Sequence, residues 1–536
     1  MSRRRQVCKG GRAYHVEQIL ELCQAPTMKS STDNVTPEVA SQASGDTPLD
    51  VLLIGTGFSG VCVGIKLLEA GISNFRIYEK SQGIGGTWYE NTYPGAACDV
   101  PSHFYCYSFE PNPNWSRVYS PQAEIQQYIE GCVDKYGLRP HIVHGARVVE
   151  MRLDEQAGVW RVKFADGSEV RARHVINGAG GLHKPSIPDF EGCDSFTGVA
   201  MHTARWDHSV DLTNKRVAII GSAASAIQVI PEAAKIAKQV VVFQRTPNYI
   251  APRGDRSYTD KEKRRFSRWP WLIRLYRWFL YKRMDLLLFP ITKKGSKAGA
   301  RGGEKVKEYM RASVKDATLH KRLEPDYAMG CKRILLSDDL WRAFNRDNVN
   351  LESSGIERIE PQGIRTADGA LHEFDVIVYA TGFDIEGHLR SMDIYGLSGR
   401  SLMEEWSETQ EAYYGCSVEG FPNYWMVTGP NTGVATTSVV FMVEQMVRFI
   451  VRMILWSGKD KLLSVKRSAQ DDYNESIHAA LAESVWASGC KSWYISESGH
   501  ITTLYPKNAT AFKRQLATVN YDDFQLIEPS HAKKAA

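Results

Sequence analysis

The motif that most constrains this chain is a glycine-rich turn between two short apolar runs. The run Asp50–Ile54 leads into Gly55–Gly60, which reads G-x-G-x-x-G, and a helix-like segment, Val61–Ala70, separates it from the run Phe75–Tyr78. This order predicts a β-α-β unit whose glycines permit a tight turn, the approach of a pyrophosphate and close packing of helix on strand. Phosphate would bind at the helix N-terminus, where free N–H groups and the helix dipole favour negative charge. The three glycines are Gly55, Gly57 and Gly60, and the acid placed to accept hydrogen bonds from ribose hydroxyls is Glu79.

A second unit of the same kind occurs later in the chain. The run Arg216–Ile220 leads into Gly221–Ala226, a predicted helix continues to Ala237, and the strand Gln239–Phe243 follows. Arg245 stands 24 residues after the first glycine of this turn, the offset at which the first unit has its acid. A guanidinium suits a 2′-phosphate, whereas a carboxylate suits free ribose hydroxyls. The second unit is therefore predicted to bind NADPH and the first unit FAD or NAD. One departure is Ala223, which replaces the usual second glycine and brings a methyl group near the pyrophosphate path.

Composition excludes other classes of protein. The 536 residues are 43% hydrophobic, and 66 Lys and Arg against 61 Asp and Glu leave too small a basic excess to indicate a nucleic-acid partner. The ten cysteines show no C-x-x-C pair and no metal-type spacing, which predicts reduced thiols, no metal and a cytoplasmic location. No targeting segment is evident, and residues 1–47 end in a stretch rich in Ser, Thr, Asn and Asp that predicts a disordered tail.

Two longer apolar stretches raise the question of membrane contact. Trp269–Pro290 is divided by five charged residues, and Gly433–Trp456 holds Glu444, Arg448 and Arg452 at helical spacing. Because charges at the centre of a bilayer are costly, both stretches are predicted to be amphipathic helices packed on protein rather than transmembrane spans. For the first stretch, a position on a membrane surface or at a substrate entrance is the less favoured alternative.

The segment after the first unit indicates which dinucleotide binds there. Gly85–Trp88, Tyr93–Gly95 and Cys98–Asp99 resemble the stretch that wraps the FAD in flavoprotein monooxygenases. The run Asp375–Ala380 and the Thr-Gly-Phe-Asp that follows it resemble the second flavin contact of this superfamily. The resemblance implies FAD in the first unit, with contacts from Gly86, Thr87, Trp88, Asp99, Tyr105, Val148 and Gly382.

A segment between the two units makes the resemblance specific. Residues 196–207 read F-x-G-x-x-x-H-x-x-x-W-D, which is similar to the fingerprint of Baeyer–Villiger monooxygenases. Within that family the histidine is expected to link domain movement to cofactor state, so no proton transfer is assigned to it. The fixed positions are Phe196, Gly198, His202, Trp206 and Asp207.

The resemblance also implies a catalytic pair. Lys332 and Arg333 match the active-site Lys-Arg pair of the family, in which Arg333 would face the flavin and Lys332 the NADPH phosphate, while Asp99 would hold Arg333 in position. In this family NADPH reduces FAD, O2 is captured as a flavin C4a-peroxide, and the peroxide attacks a ketone to give an ester or lactone. A fixed guanidinium stabilises the negative species formed on this route. The remaining NADPH contacts are expected from Ser222, Ala223, Ser225, Arg245, Thr246 and Gly221.

These observations predict an α/β fold with two Rossmann-like dinucleotide-binding domains, the second inserted into the first. The insertion follows from sheet-like runs on both sides of the second unit, at His174–Gly178 and at Asp375–Asp384. The predicted divisions are a tail (1–47), a first FAD segment (48–190), a linker and NADP domain with a helical insert at about 252–329 (191–370), and a second FAD segment with the C-terminus (371–536).

Three alternatives are open. An N- or S-oxygenating flavin monooxygenase shares the fold and cofactors. A flavin disulfide reductase needs a C-x-x-x-x-C pair, but Cys98 is followed by Ser102 and His103 at the fourth and fifth positions and not by a cysteine. A non-enzymatic binding module has only Ala223 in its favour.

Aromatic residues in the insert indicate a bulky apolar ketone, and Trp493 is a candidate contact for substrate or nicotinamide. The oligomeric state is left unassigned.

Overall fold

The computed structural model describes residues 47–384, 391–433, 435–490, 492–496 and 498–529. The predicted N-terminal tail, apart from Thr47, lies outside the described residues.

The strands form two large parallel-rich sheets and three small ones. In chain order they are β1 (Leu49–Ile54), β2 (Phe75–Tyr78), β3 (Ile142–Val143), β4 (Val148–Asp154), β5 (Val159–Phe164), β6 (Glu169–Asn177), β7 (Val199–His202), β8 (Arg216–Ile220), β9 (Gln239–Phe243), β10 (Ile250–Ala251), β11 (Leu335–Leu336), β12 (Val349–Glu352), β13 (Ile356–Glu360), β14 (Gly363–Thr366), β15 (Leu371–Glu373), β16 (Val376–Tyr379), β17 (Asp393–Tyr395), β18 (Tyr424–Met426), β19 (Leu462–Val465) and β20 (Phe524–Ile527).

The helices cover the faces of these sheets and form the insert. They are α1 (Phe58–Glu69), α2 (Thr87–Glu90), α3 (Gln122–Lys135), α4 (Ala226–Ile236), α5 (Asp260–Arg268), α6 (Pro270–Arg283), α7 (Lys297–Ser313), α8 (Ala317–Leu323), α9 (Leu340–Ala343), α10 (Leu402–Glu405), α11 (Val439–Ser457), α12 (Arg467–Ala482) and α13 (Ala509–Ala517). A π-helical turn, Met284–Leu288, directly follows α6.

The first sheet contains the first nucleotide unit. Its strands run in the order β17-β4-β5-β6-β1-β2-β3, and β18 pairs with β6. Strand β1 is parallel to β2 and β6, so it is central, and its residues Val51–Ile54 are buried. Helix α1 begins at Phe58, three residues before the predicted start, and packs against α11. The carboxyl end of β1 therefore opens directly onto the glycine-rich turn, as a dinucleotide-binding sheet requires.

The second sheet contains the second nucleotide unit and runs in the order β12-β9-β8-β16-β7, with every pair parallel. The prediction that the run within Asp375–Asp384 completes the first sheet is wrong, because β16 lies between β8 and β7. The later strands β17 and β18 join the first sheet instead. A fully buried apolar strand such as β16 carries no local signal that selects one parallel sheet over another.

The insert between β9 and β11 is mainly helical, as predicted, but it packs on both nucleotide units. Met310, Val314 and Leu323 join the apolar core of the second unit. From helix α6, the buried side chain of Arg277 donates hydrogen bonds to the backbone carbonyls of His103 and Cys106 in the first unit (3.1 and 2.8 Å). The insert therefore spans the join between the units.

The two long apolar stretches behave differently. Helix α11, within the second stretch, is buried over most of its length, which confirms the predicted packing on protein. The first stretch also packs on protein, through the buried Ile273 and Leu280, but most other large apolar side chains of α6 and of the turn after it are exposed, while Arg277 and Asp285 are buried. Among the described residues, no helix is both long and apolar enough to cross a membrane.

One cysteine pair departs from the predicted reduced state. Cys331 and Cys490, which are 159 positions apart in sequence, form a disulfide with Cα atoms 6.3 Å apart. A pairing across so long a separation depends on the tertiary fold and leaves no spacing pattern to read. The disulfide ties the loop that carries Lys332 and Arg333 to the C-terminal segment before Trp493.

Candidate active site at the join of the two nucleotide units

The first glycine-rich turn needs glycine for space as well as for backbone angle. Gly55 has a φ of +93°, and a Cβ placed on Gly60 would lie 1.8 Å from the carbonyl oxygen of Gly55. A Cβ on Gly86 would lie 3.0 Å from the Cα of Gly57. The two glycine segments therefore face each other closely across the N-terminus of α1, where N–H groups of the first helical turn have no partner within the helix.

The acid of this unit is fixed beside the turn. Glu79 is buried, and its Oε2 accepts hydrogen bonds from the backbone N–H and the hydroxyl of Thr56 (2.9 and 2.8 Å), while Oε1 accepts from the N–H of Ser81 (2.9 Å). A carboxylate held next to a phosphate-binding turn fits the free ribose hydroxyls of FAD. The buried side chain of Val148 lies in β4 and joins the core that contains Tyr78.

An aromatic group lies beyond this turn. The indole N–H of Trp88 donates a hydrogen bond to the hydroxyl of Tyr105 (3.2 Å), and the Tyr105 ring packs edge-on against Phe58 at the start of α1 (5.2 Å between centroids). Thr87 opens the short helix α2 that carries Trp88. The structure thus brings these predicted flavin contacts together around the N-terminus of α1.

The second glycine-rich turn is built in the same way. Gly221 has a φ of +121°, and a Cβ there would lie 2.4 Å from the carbonyl oxygen of Ala380. The hydroxyl of Ser222 donates to the carbonyl oxygen of Thr246 (3.2 Å), which joins the turn to the segment after β9. Ser225 directly precedes α4. Ala223 is exposed, so its methyl group displaces no protein atom from the turn.

Two cations lie together at the edge of this unit. Burial lowers the pKa of Lys332, and the charge of nearby Arg245 lowers it further. The Lys332 ammonium also lies 4.8 Å from the ring centroid of Tyr327. Because like charges repel, a site that holds an ammonium beside a guanidinium is suited to a multiply charged anion, such as a 2′-phosphate.

The predicted contact between Arg333 and Asp99 is present. Arg333 donates a hydrogen bond to the carboxylate of Asp99 and forms an ion pair with it. The negative charge of Asp99 raises the pKa of Arg333, so the guanidinium stays positive throughout the working pH range. The loop that carries Asp99 is held by Arg253, which donates to the carbonyl of Cys98 (2.7 Å).

Two tyrosines near this pair were not predicted as site residues. Tyr494 is buried, and burial raises its pKa to about 12 although the charge of Arg333 opposes the shift. Burial also raises the pKa of Tyr93, whose hydroxyl donates to Gln228 on α4 (2.9 Å). Tyr93 opens the motif Tyr93–Gly95, and Tyr494 directly follows Trp493, which was a predicted contact. This closeness to predicted site segments is the one sequence signal that could have identified the two tyrosines. Trp493, the predicted contact, is 53% exposed and packs on Tyr494.

The fingerprint segment forms an edge strand of the second sheet. A Cβ on Gly198 would lie 2.5 Å from the carbonyl oxygen of Asp375, so only glycine allows β7 to begin there, and Phe196 packs against a core cluster of that sheet. His202 is buried, and burial lowers its pKa to about 4. A neutral histidine that accepts a hydrogen bond from the N–H of Ala204 (3.0 Å) fits a structural role.

The end of the same segment is bound to the first unit. Arg205 pairs with Glu90 (2.5 Å) and donates to the carbonyl of His183 (3.0 Å), and His208 lies within hydrogen-bond distance of the Thr92 hydroxyl (2.8 Å). Trp206 packs against the core of the second unit, while Asp207 accepts a hydrogen bond from the N–H of Ser209 (2.9 Å). The segment therefore bridges both units.

Gly382, with a φ of +90°, lies on the other side of the join, where its carbonyl oxygen accepts a hydrogen bond from the N–H of Ser186 (2.9 Å).

In the described part of the chain, no group of three or more His, Cys, Asp or Glu side chains is arranged to hold a metal ion. The charged groups of the site are instead of the kinds suited to binding phosphates or to stabilising a developing anion.

Comparisons with known proteins agree with this geometry. Residues 52–262 match the family model described as pyridine nucleotide-disulphide oxidoreductase. A Baeyer–Villiger monooxygenase of Pseudomonas aeruginosa is 38% identical over 462 residues, which cover 85% of this chain and 87% of that protein. A Baeyer–Villiger monooxygenase of Streptomyces coelicolor is 36% identical over 490 residues, covering 91% and 94%. A solved structure of an oxidized steroid monooxygenase bound to NADP superposes with a TM-score of 0.80 at 32% identity and covers 90% of this chain and all of that one.

Two parallel-sheet nucleotide units joined by an Arg–Asp ion pair define an oxidoreductase that uses two dinucleotides. The chain belongs to the Baeyer–Villiger monooxygenase family. The predicted α/β fold class with two dinucleotide-binding domains is confirmed.

Proposed function

We propose that this chain oxidises a ketone to an ester or lactone by inserting one oxygen atom of O2 beside the carbonyl, with FAD as cofactor and NADPH as reductant. The balanced reaction consumes ketone, O2, NADPH and a proton, and it yields ester, water and NADP+. Family membership supports this reaction over N- or S-oxygenation. The observation that carries the proposal is the ion pair of Arg333 with Asp99, because it fixes a permanent positive charge at the join of the two nucleotide units.

The residues around each glycine-rich turn fit the two dinucleotides. Glu79 would accept the ribose hydroxyls of FAD, and the opposed glycines Gly57 and Gly86 would leave room for its pyrophosphate. Arg245 and Lys332 would hold the 2′-phosphate of NADPH. When bound, FAD accepts hydride from NADPH and activates O2, which is chemistry that no side chain supplies.

Arg333 is proposed as the catalytic residue. Its guanidinium would donate hydrogen bonds to the oxygen that gains negative charge as the ketone is attacked, and such prearranged charge is usually the largest single contribution to catalysis. Asp99 would act as a positioning residue, since it holds one side of the guanidinium and raises its pKa. The half-buried Tyr93 and the buried Tyr494 would exclude water beside it while remaining neutral at working pH.

For the substrate we propose an apolar ketone. The support is the aromatic surroundings of Arg333, where Tyr93, Tyr105 and Tyr494 are largely buried and their hydroxyls un-ionised. Aromatic residues of the insert gave the same indication in the sequence, but Trp271 and Trp278 lie on the outer surface and contribute nothing to it.

The test uses the FAD-loaded full chain with NADPH and a panel of cyclic, linear and aryl ketones together with a thioether. Products are identified by mass spectrometry under 18O2. An ester or lactone that carries one labelled oxygen is the expected result. Sulfoxide formation without any ester across the whole panel would contradict the proposal in favour of heteroatom oxygenation, and NADPH-dependent reduction of a disulfide substrate would favour a reductase.

A further inference from the structure

The outer surface of the helical insert is apolar where a helix of a soluble domain usually is polar. Trp271 is 59% exposed and Leu286 is 65% exposed, and within α6 the exposed Trp271, Leu275, Trp278 and Phe279 follow the spacing of one helical face. We call this surface the insert face. Its large exposed side chains are Trp269, Trp271, Leu275, Trp278, Phe279, Leu286, Leu287 and Leu288. Large exposed apolar side chains grouped along one segment in this way mark an interaction surface.

Two charged side chains of the same segment, Arg277 and Asp285, point inward and hold it in this orientation. Arg277 is buried, donates to the carbonyls of His103 and Cys106 (3.1 and 2.8 Å), and lies 3.6 Å from the buried carboxylate of Glu444. Asp285 is buried and accepts from the N–H of Ala509 (2.9 Å). Rotating the helix to bury its tryptophans would expose these bonds, so the apolar face is a fixed property of the fold.

The charged side chains exposed around the insert face are basic. Between residues 263 and 303 the only acid is Asp285, which is buried. The exposed basic side chains of the same stretch are Arg264, Arg265, Arg268, Arg274, Arg283, Lys293, Lys294, Lys297 and Arg301. Exposed tryptophans and leucines within a field of exposed cations are typical of segments that lie in the interface of an anionic bilayer.

We propose that the insert face docks this enzyme on the surface of bilayers that contain anionic phospholipids, with α6 lying in the plane of the membrane. Trp271 and Trp278 would insert at headgroup depth, where indole rings are favoured, and the surrounding Arg and Lys side chains would contact lipid phosphates. A second copy of the chain is the less suitable occupant, because a twofold contact would set this basic face against itself.

Binding of the FAD-loaded full chain to sucrose-filled vesicles tests the proposal. Vesicles of phosphatidylcholine mixed with phosphatidylglycerol are compared with vesicles of phosphatidylcholine alone, at low and at high salt. We expect sedimentation with the anionic vesicles only, and weaker sedimentation as salt rises. The variant W271S/W278S should reduce partitioning by roughly tenfold or more, because two buried indole rings are lost.

Matched variants separate a docking face from general surface effects. I236S/L526S removes two exposed apolar residues elsewhere, and K238E/K321E reverses two exposed charges away from the face. Both should bind like the parent chain, whereas R268E/R274E should lose binding to anionic vesicles. All variants should keep their ketone oxidation rate in solution.

Two outcomes would overturn the proposal. One is equal vesicle binding by the parent chain and W271S/W278S. The other is a concentration-dependent dimer that W271S/W278S abolishes while the parent chain ignores vesicles, because the insert face would then be an interface between copies.

Discussion

Arg333 donates a hydrogen bond to Asp99 although the two residues are 234 positions apart in sequence. Asp99 belongs to the loop between α2 and α3 of the first nucleotide unit, and Arg333 to the loop that follows the helical insert of the second. Any movement that separates the two units must break this bond or carry both residues together. The ion pair therefore couples the position of the proposed catalytic charge to closure of the join.

Replacing Arg333 by Ala should abolish most ketone oxygenation while leaving cofactor binding intact. Removing one prearranged donor to a developing anion typically lowers kcat by roughly a hundredfold or more. Arg333→Lys should not restore the rate, because an ammonium lacks the rigid fork of donors. Ester formation is measured by gas chromatography beside NADPH consumption.

The control for this prediction is Arg161→Ala, since Arg161 lies in β5, is exposed and pairs with Glu169 of β6 (2.8 Å), away from the join. Asp99→Asn should lower the rate less than Arg333→Ala, because the guanidinium remains but loses its charged partner. A full rate of ester formation in Arg333→Ala would remove this residue from the catalytic role.

The discrimination between NADPH and NADH should depend on Arg245 and Lys332. Each hydrogen bond to a charged group contributes about 1.5–3 kcal/mol, so Arg245→Ala should raise the KM for NADPH roughly tenfold to a hundredfold. The KM for NADH should stay nearly constant, because NADH has no 2′-phosphate. Steady-state kinetics with both nucleotides measure the ratio, with Lys238→Ala as the control at an exposed position of the same unit. Parallel changes for both nucleotides would place Arg245 outside the 2′-phosphate site.

The sequence was most informative where structure is set locally. The observed bounds of β2 and β9 equal the predicted runs Phe75–Tyr78 and Gln239–Phe243, because a β-α-β unit is specified by apolar periodicity and by glycines that only one turn geometry requires. The close pairing of Arg333 with Asp99 also matches expectation, but it was reached through family resemblance and not through any local pattern.

What could not be predicted depends on contacts between distant segments. Strand β16 is buried on both faces, and the segments that pack on those faces decide which sheet it joins. Helix α6 was expected to be amphipathic and to pack on protein, and its inner face holds Arg277, which donates hydrogen bonds to three carbonyl oxygens of the first unit, while its tryptophans face outward. An amphipathic pattern indicates that a helix has an apolar and a polar face, but contacts with distant segments decide which face is buried.

The disulfide between Cys331 and Cys490 should stabilise the join. Cross-links that close long loops typically contribute about 2–4 kcal/mol to the free energy of unfolding, so Cys490→Ser should lower the melting temperature measurably. Dithiothreitol should lower the melting temperature of the parent chain by a similar amount and have no effect on the variant. Calorimetry measures both, and Cys193→Ser, which removes a half-buried free thiol, is the control. Equal melting of the parent chain and Cys490→Ser would show that this cross-link adds nothing to stability.

Acid should destabilise the fold through buried histidines. Burial lowers the pKa of His103 and His202 to about 4 and that of His174 to about 3, whereas an unfolded histidine titrates near 6.5. Between these values the unfolded chain binds more protons than the folded chain, so the free energy of unfolding falls as pH drops from about 6.5 towards about 4. At about pH 5 each such histidine should cost about 1–2 kcal/mol relative to neutral pH.

The variant that isolates this effect is His174→Gln. A glutamine oxygen can accept the hydrogen bond that the indole N–H of Trp425 donates to His174 (3.3 Å), but it does not titrate. Its melting temperature should therefore fall less than that of the parent chain between about pH 7.5 and about pH 5. In His144→Gln, at an exposed position, the melting temperature should fall with pH as steeply as in the parent chain. If the melting temperature of His174→Gln falls with pH as steeply as that of the parent chain, the acid sensitivity arises from other groups. A buried neutral imidazole that gains a proton on unfolding must contribute to this pH dependence, so its removal must change it.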